Sequence, residues 1–85
     1  MEREFVVTNE QGIHARPATK LVQLANDFSA DLDLLYKGST VDLKSIMGVL
    51  SLGVTRGSLV VIRANGEDEN EAIKQITKFF QELNN

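Results

Sequence analysis

The chain contains one histidine, and it stands in the run Gly12-Ile13-His14-Ala15-Arg16-Pro17-Ala18. An imidazole is the side chain best suited to carry a group near neutral pH, because a neutral ring offers a nucleophilic lone pair. Pro17 suits the first turn of a helix, so the run reads as a polar turn leading into a helix, with His14 projecting at the entrance. A helix N-terminus leaves N–H groups unpartnered and carries partial positive charge, which favours an anion. Arg16 adds a planar fork of donors that fits phosphate oxygens. A histidine in that setting is equipped to hold a phosphoryl group. A second candidate is Ser45, in Leu43-Lys44-Ser45-Ile46-Met47-Gly48. Serine before a helical run is a good N-cap. It is also a phosphorylation site that the fold should tolerate, because added negative charge suits the helix dipole.

The elements that must position these residues follow from periodicity. Phe5-Val6-Val7 reads as a strand, and Asn9 to Gly12 as a turn. Ala18, Leu21, Val22, Ala25 and Phe28 fall on one face of a helix that begins near Pro17. Thr19, Lys20, Gln23 and Asn26 lie off that stripe, towards water. Leu32, Leu34 and Tyr36 alternate with Asp33 and Leu35 in a second strand. Lys37-Gly38-Ser39 turns the chain into a third strand through Val41 and Leu43, which makes an antiparallel hairpin. A short helix follows Ser45 and ends near Gly53. Its apolar residues cannot all face inward, so Ile46, Met47 and Leu50 are expected to form an exposed cluster for a partner. Leu59 to Ala64 is an apolar strand suited to the sheet centre. Glu67, Asp68, Glu69 and Glu71 crowd the start of a last helix, whose buried face is Ala72, Ile73, Ile76, Phe80 and Leu83. The order β-α-β-β-α-β-α gives an α+β fold, an antiparallel sheet with helices on one face.

Composition narrows the function. With 85 residues, 42% hydrophobic and 25% charged, the chain is expected to be one domain spanning 1–85. Cysteine is absent and there is a single histidine, so thiolate zinc sites, disulfide scaffolds and multi-histidine metal centres are excluded. A metal-transport domain of this architecture would need the missing cysteines. Nine basic residues stand against 12 acidic ones, for a net charge of −3, which argues against a nucleic-acid-binding sandwich with a basic aromatic face. The charged run Met1-Glu2-Arg3-Glu4 is not expected to act as a secretory signal, and no apolar run is long enough for membrane insertion. The expected location is cytoplasmic.

Both motifs, at their separation, resemble the HPr family, the histidine-containing phosphocarriers of the phosphoenolpyruvate:sugar phosphotransferase system. The first run matches the family's active-site signature in full. Lys44-Ser45-Ile46-Met47-Gly48 with Ser51-Leu52-Gly53 matches its serine-site signature in the form typical of low-GC Gram-positive bacteria. The resemblance covers essentially the whole chain. It implies an open-faced β-sandwich, a four-stranded antiparallel sheet of order 1-4-2-3 with three helices on one face. It implies that His14 accepts a phosphoryl group on Nδ1 from phospho-Enzyme I, that Arg16 steadies it, and that Enzyme IIA domains receive it. It further implies that HPr kinase/phosphorylase phosphorylates Ser45, and that this form acts with catabolite control protein A in carbon catabolite repression. Thr19, Lys20, Ile46, Met47 and Leu50 become the partner-binding surface. The carrier would be a monomer, a phosphotransferase component and not an enzyme with its own pocket, without metal or other cofactor. Two departures are visible: Leu50 stands where many relatives have methionine, and Lys20 where a neutral residue is frequent. A purely regulatory module read through Ser45 is the competing class, and the presence of His14 speaks against it.

Overall fold

Leu32, Leu34 and Tyr36 are buried on one side of their strand, while Asp33 and Leu35 between them are half-buried on the other. Side chains alternate across a strand, so one face of the sheet must be covered and the other left open. The computed structural model, which describes residues 1–85, runs β1 (Glu2–Val6), α1 (Ala15–Ala25), β2 (Asp31–Tyr36), β3 (Ser39–Asp42), α2 (Ile46–Ser51), β4 (Leu59–Asn65) and α3 (Glu69–Leu83). The four strands form one sheet of order β1-β4-β2-β3, and every neighbouring pair is antiparallel. β4 therefore lies inside the sheet, with Val60, Ile62 and Ala64 fully buried.

The helices cover the face that these residues share. Leu21, Ala25, Ile76 and Phe80 pack with Leu32, Leu34 and Ile62 in one hydrophobic core of 20 buried residues. Phe5 stacks on Phe80 with ring centroids 4.5 Å apart, which ties β1 to α3. The α-helical stripe expected from sequence is buried from Ala18 to Ala25. Phe28 lies beyond the helix end and is half-buried against the core. No helix is long and apolar enough to cross a membrane.

Several boundaries differ from the expected ones by one or more residues. β1 begins at Glu2, because Glu2 and Glu4 alternate with Arg3 and Phe5, and a strand with charges on its open face carries no long apolar run. α1 begins at Ala15, before Pro17. β3 ends at Asp42, yet Leu43 is fully buried, its N–H donating to the Leu32 carbonyl at 2.9 Å.

Candidate functional site

Helix α1 starts without a side-chain cap. His14 is its N-cap residue, with φ −90° and ψ −168°, and its side chain makes no capping bond. The first N–H groups of an α-helix have no intrahelical partner. Pro17 has no N–H, so Ala15 and Arg16 supply the free donors of this turn. Pro17 and Ala18 are buried and anchor the turn, while His14, Ala15 and Arg16 are exposed. Arg16 takes part in neither of the two ion pairs of the molecule. A groove beside His14 is lined by Gln11, Arg16 and Lys20, and on its far side by Phe79, Glu82 and Leu83 of α3.

The turn before His14 is held from three directions. Gly12 has φ +66°, and a Cβ there would meet the Val54 carbonyl oxygen at 2.3 Å, so only glycine fits. Asn9 Nδ2 donates to the Gly12 carbonyl at 2.8 Å. Ile13 N–H donates to the Val54 carbonyl at 3.0 Å. Asn84, just after α3, accepts from the N–H groups of Thr8 and Asn9 at 2.9 and 3.3 Å. Within this frame His14 Nε2 is hydrogen-bonded to Gln11 Oε1. An amide oxygen only accepts, so this contact is a hydrogen bond in the tautomer that has the proton on Nε2 and leaves the lone pair on Nδ1.

Ser45 stands where the sequence placed it, as N-cap of α2. Its Oγ accepts the Gly48 N–H at 3.1 Å. Lys44 Nζ donates to the Phe28 carbonyl at 2.7 Å, and Asn26 Nδ2 to the Lys44 carbonyl at 3.2 Å. The start of α2 is thus fastened to the far end of α1, and Val54, after α2, returns to the turn at Gly12. His14 and Ser45 are therefore separated by about the length of α1, 11 residues or roughly 16 Å at 1.5 Å each. The two sites do not form one pocket.

The expected exposed cluster needs a correction. Met47 and Leu50 are 75% and 38% exposed. Ile46, however, is half-buried against the core and is not part of the open patch. Residues three apart share a helix face, so Ile46 follows buried Val49 inward while Met47 and Leu50 point out together. Thr19 and Lys20 are exposed on α1. The Thr19 hydroxyl already donates to the Ala15 carbonyl at 2.8 Å.

The family model described as the PTS HPr component phosphorylation site matches residues 1–82. The chain belongs to the HPr family. HPr proteins are the phosphocarriers of the phosphotransferase system, and the solved structures agree with that assignment. HPr-C-His from Thermoanaerobacter tengcongensis is 39% identical and superposes with a TM-score of 0.94, over 99% of this chain and 94% of its own. The phosphocarrier protein HPr of Bacillus anthracis is 38% identical, with a TM-score of 0.89 over 95% and 96%. The catabolite repression protein Crh of Bacillus subtilis, a swapped dimer, is 42% identical with a TM-score of 0.77 over 94% and 92%. The open-faced sandwich expected from the HPr resemblance, with its strand order, is the fold observed.

Gln11, Asn9 and Asn84 were not singled out from the sequence, nor was the end of α3 as a wall of the groove. Gln11 had a readable signal, since it lies three residues before His14 in the turn that aims it. Asn84 had none, because its contacts reach 75 residues or more along the chain.

Proposed function

We propose that this HPr protein acts as one domain over residues 1–85 and carries a phosphoryl group on Nδ1 of His14. The observation that carries the reading is the exposed His14 at an uncapped helix N-terminus, next to an arginine with no ion pair. The Nδ1 lone pair forms the new P–N bond as the donor's own P–N bond breaks, its electron pair returning to the donor. The protein's part is positioning and charge stabilisation. The N–H groups of Ala15 and Arg16 and the Arg16 guanidinium meet the phosphoryl oxygens. Phospho-Enzyme I is the donor and Enzyme IIA domains are the acceptors, docking over Thr19, Lys20, Met47 and Leu50, with Ile46 supporting from beneath. In this reading the carrier works as a monomer in the cytoplasm. Because a partner supplies the donor or acceptor, the chain is a cycling phosphotransferase component and not an enzyme.

Ser45 serves regulation in this reading. HPr kinase/phosphorylase modifies its Oγ, and the modified form binds catabolite control protein A in carbon catabolite repression. The α2 N-terminus accommodates the added charge.

The experiment is incubation with Enzyme I and phosphoenolpyruvate. One phosphate per chain is expected, lost in acid and kept in base as a P–N bond on imidazole behaves, and none on His14→Ala folded like the parent. Equal acid-labile labelling of His14→Ala would refute the carrier reading. Incubation with ATP and the kinase should label the parent and leave Ser45→Ala unlabelled.

A further inference from the structure

We propose that Gln11 is a positioning residue that keeps a proton on His14 Nε2 through both halves of the phosphoryl cycle. The inference rests on His14 as the carrier and adds a residue that governs how it loads and unloads.

A neutral imidazole has two tautomers, and only the one protonated on Nε2 leaves Nδ1 a lone pair. Gln11 Oε1 lies within hydrogen-bonding reach of Nε2, and as an acceptor it favours that tautomer. Gln11 can do so because its turn is fixed independently of its own side chain. Gly12 lies tight under the Val54 carbonyl, and Asn9 clamps the Gly12 carbonyl at 2.8 Å. The other charged groups around the ring are Arg16 and Lys20 from α1 and Glu82 from α3. None of them is bonded to Nε2.

The same proton matters on discharge. With the phosphoryl group on Nδ1 and a proton on Nε2, the ring is cationic. When the P–Nδ1 bond breaks, its electron pair returns to Nδ1 and a neutral imidazole departs, with no proton transfer. Without the Nε2 proton the departing group would be an imidazolate, a far poorer leaving group. An acceptor on Nε2 stabilises the protonated phospho-ring and extends discharge to higher pH.

The test uses the full chain labelled with 15N. Long-range proton–nitrogen spectra of the unphosphorylated protein report the tautomer, and the loaded protein gives the pH profile of phosphoryl loss. Loading uses Enzyme I with phosphoenolpyruvate, or phosphoramidate if Enzyme I fails to label. The parent should show the Nε2–H tautomer. Gln11→Leu should lose that bias, and its discharge should fail at a pH about one unit lower, near tenfold in the protonated fraction, for the loss of one hydrogen bond to a charged ring. Gln11→Glu keeps an acceptor and should move the limb upward. A change in packing alone would not shift the limb in opposite directions in the two variants. An Nδ1–H tautomer in the parent, or a Gln11→Leu profile that superimposes on it, overturns the proposal. Failure of Enzyme I to label a chain that shows the Nε2–H tautomer would count against the carrier reading and leave the role of Gln11 to the tautomer and the phosphoramidate-loaded profile.

Discussion

The carbonyl oxygen of Val54 occupies the space that a side chain on Gly12 would need, 2.3 Å from the ideal Cβ position. Val54 closes the segment after α2, and Gly12 opens the approach to His14. Through this contact, and the Ile13 N–H that the same oxygen accepts at 3.0 Å, the end of one helix sets the start of another. Gly12→Ala should therefore do two kinds of damage. The left-handed φ of +66° and the clash should lower stability by about 1–3 kcal/mol. Relief of the clash should also move the turn that aims Gln11 and His14, so phosphoryl uptake should slow even under conditions where the protein stays folded. Urea unfolding and the rate of His14 phosphorylation check the two effects separately. Intact kinetics in a destabilised Gly12→Ala would show that the turn does not aim the ring.

Arg16 is exposed, lies off the apolar stripe of α1 and has no ion-pair partner. Its removal leaves no buried group unpaired. Arg16→Ala should change stability by less than about 0.5 kcal/mol, while slowing both loading and unloading of His14. Arg16→Lys should recover part of the rate, because lysine keeps the charge and loses the fork. The check is rapid-quench transfer from Enzyme I and to an Enzyme IIA domain; unchanged rates in both directions for Arg16→Ala would remove it from the site.

Local signals explain what the sequence made legible. Pro17 after His14, Ser45 before Ile46 and the alternation through Leu32, Leu34 and Tyr36 each act within one turn or one strand, and each was found in place. The number of apolar residues in α2 says that some must be exposed but not which; the three-residue spacing from Ile46 to buried Val49 decides that Ile46 faces inward. Asn84 and Asp68 were out of reach for another reason. Asn84 ties the turn at Thr8 and Asn9 to the end of α3. Asp68 stands among several acids that favour a helix N-terminus, yet its side chain makes no helix cap. Its partners, Ser29 and Ala30, lie 39 and 38 residues away, and no local rule links them.

That carboxylate gives a pH prediction. Asp68 accepts the Ser29 N–H at 2.9 Å and the Ala30 N–H at 2.8 Å. The bond from Ser29 foremost, with that from Ala30, holds its carboxyl below the ordinary value of 3.8, against an opposing effect of partial burial. A folded value below the unfolded one means stability that is present above the unfolded value and lost as pH falls through the folded one. Asp68→Asn should be less stable than the parent at pH 7, and the gap should narrow as pH falls below the ordinary carboxylate value and through the lower folded one, where the parent's Asp68 is protonated too. Urea midpoints for both proteins across that range are the measurement. A gap that stays constant with pH would mean that charge on Asp68 contributes nothing.

Ser45 and His14 stand at opposite ends of the α1–α2 pair, so a phosphate on one cannot reach the other directly. Any antagonism between them is expected to act through the docking surface. Met47 and Leu50 are exposed on α2, beyond Ser45, and form the apolar part of the surface we assign to Enzyme I. A phosphate of charge about −1.5 to −2 at the edge of that patch must be desolvated on docking, and a buried charge without a partner is costly. Lys44, the nearest cation in sequence, is held at the Phe28 carbonyl and would have to give up that bond to compensate. The fold itself should tolerate the charge, since it falls at a helix N-terminus. Ser45→Asp should be as stable as the parent or slightly more so, yet a poorer acceptor from Enzyme I. Ser45→Ala loses the bond from Gly48 N–H, which should cost about 1 kcal/mol of stability, while it remains a good acceptor and is blind to the kinase. Added salt should relieve the Ser45→Asp defect only partly, because screening weakens long-range repulsion and leaves desolvation in place. The measurement is the rate of His14 phosphorylation against carrier concentration for the three proteins at two ionic strengths. A Ser45→Asp protein that matches the parent at both would place Enzyme I docking away from α2.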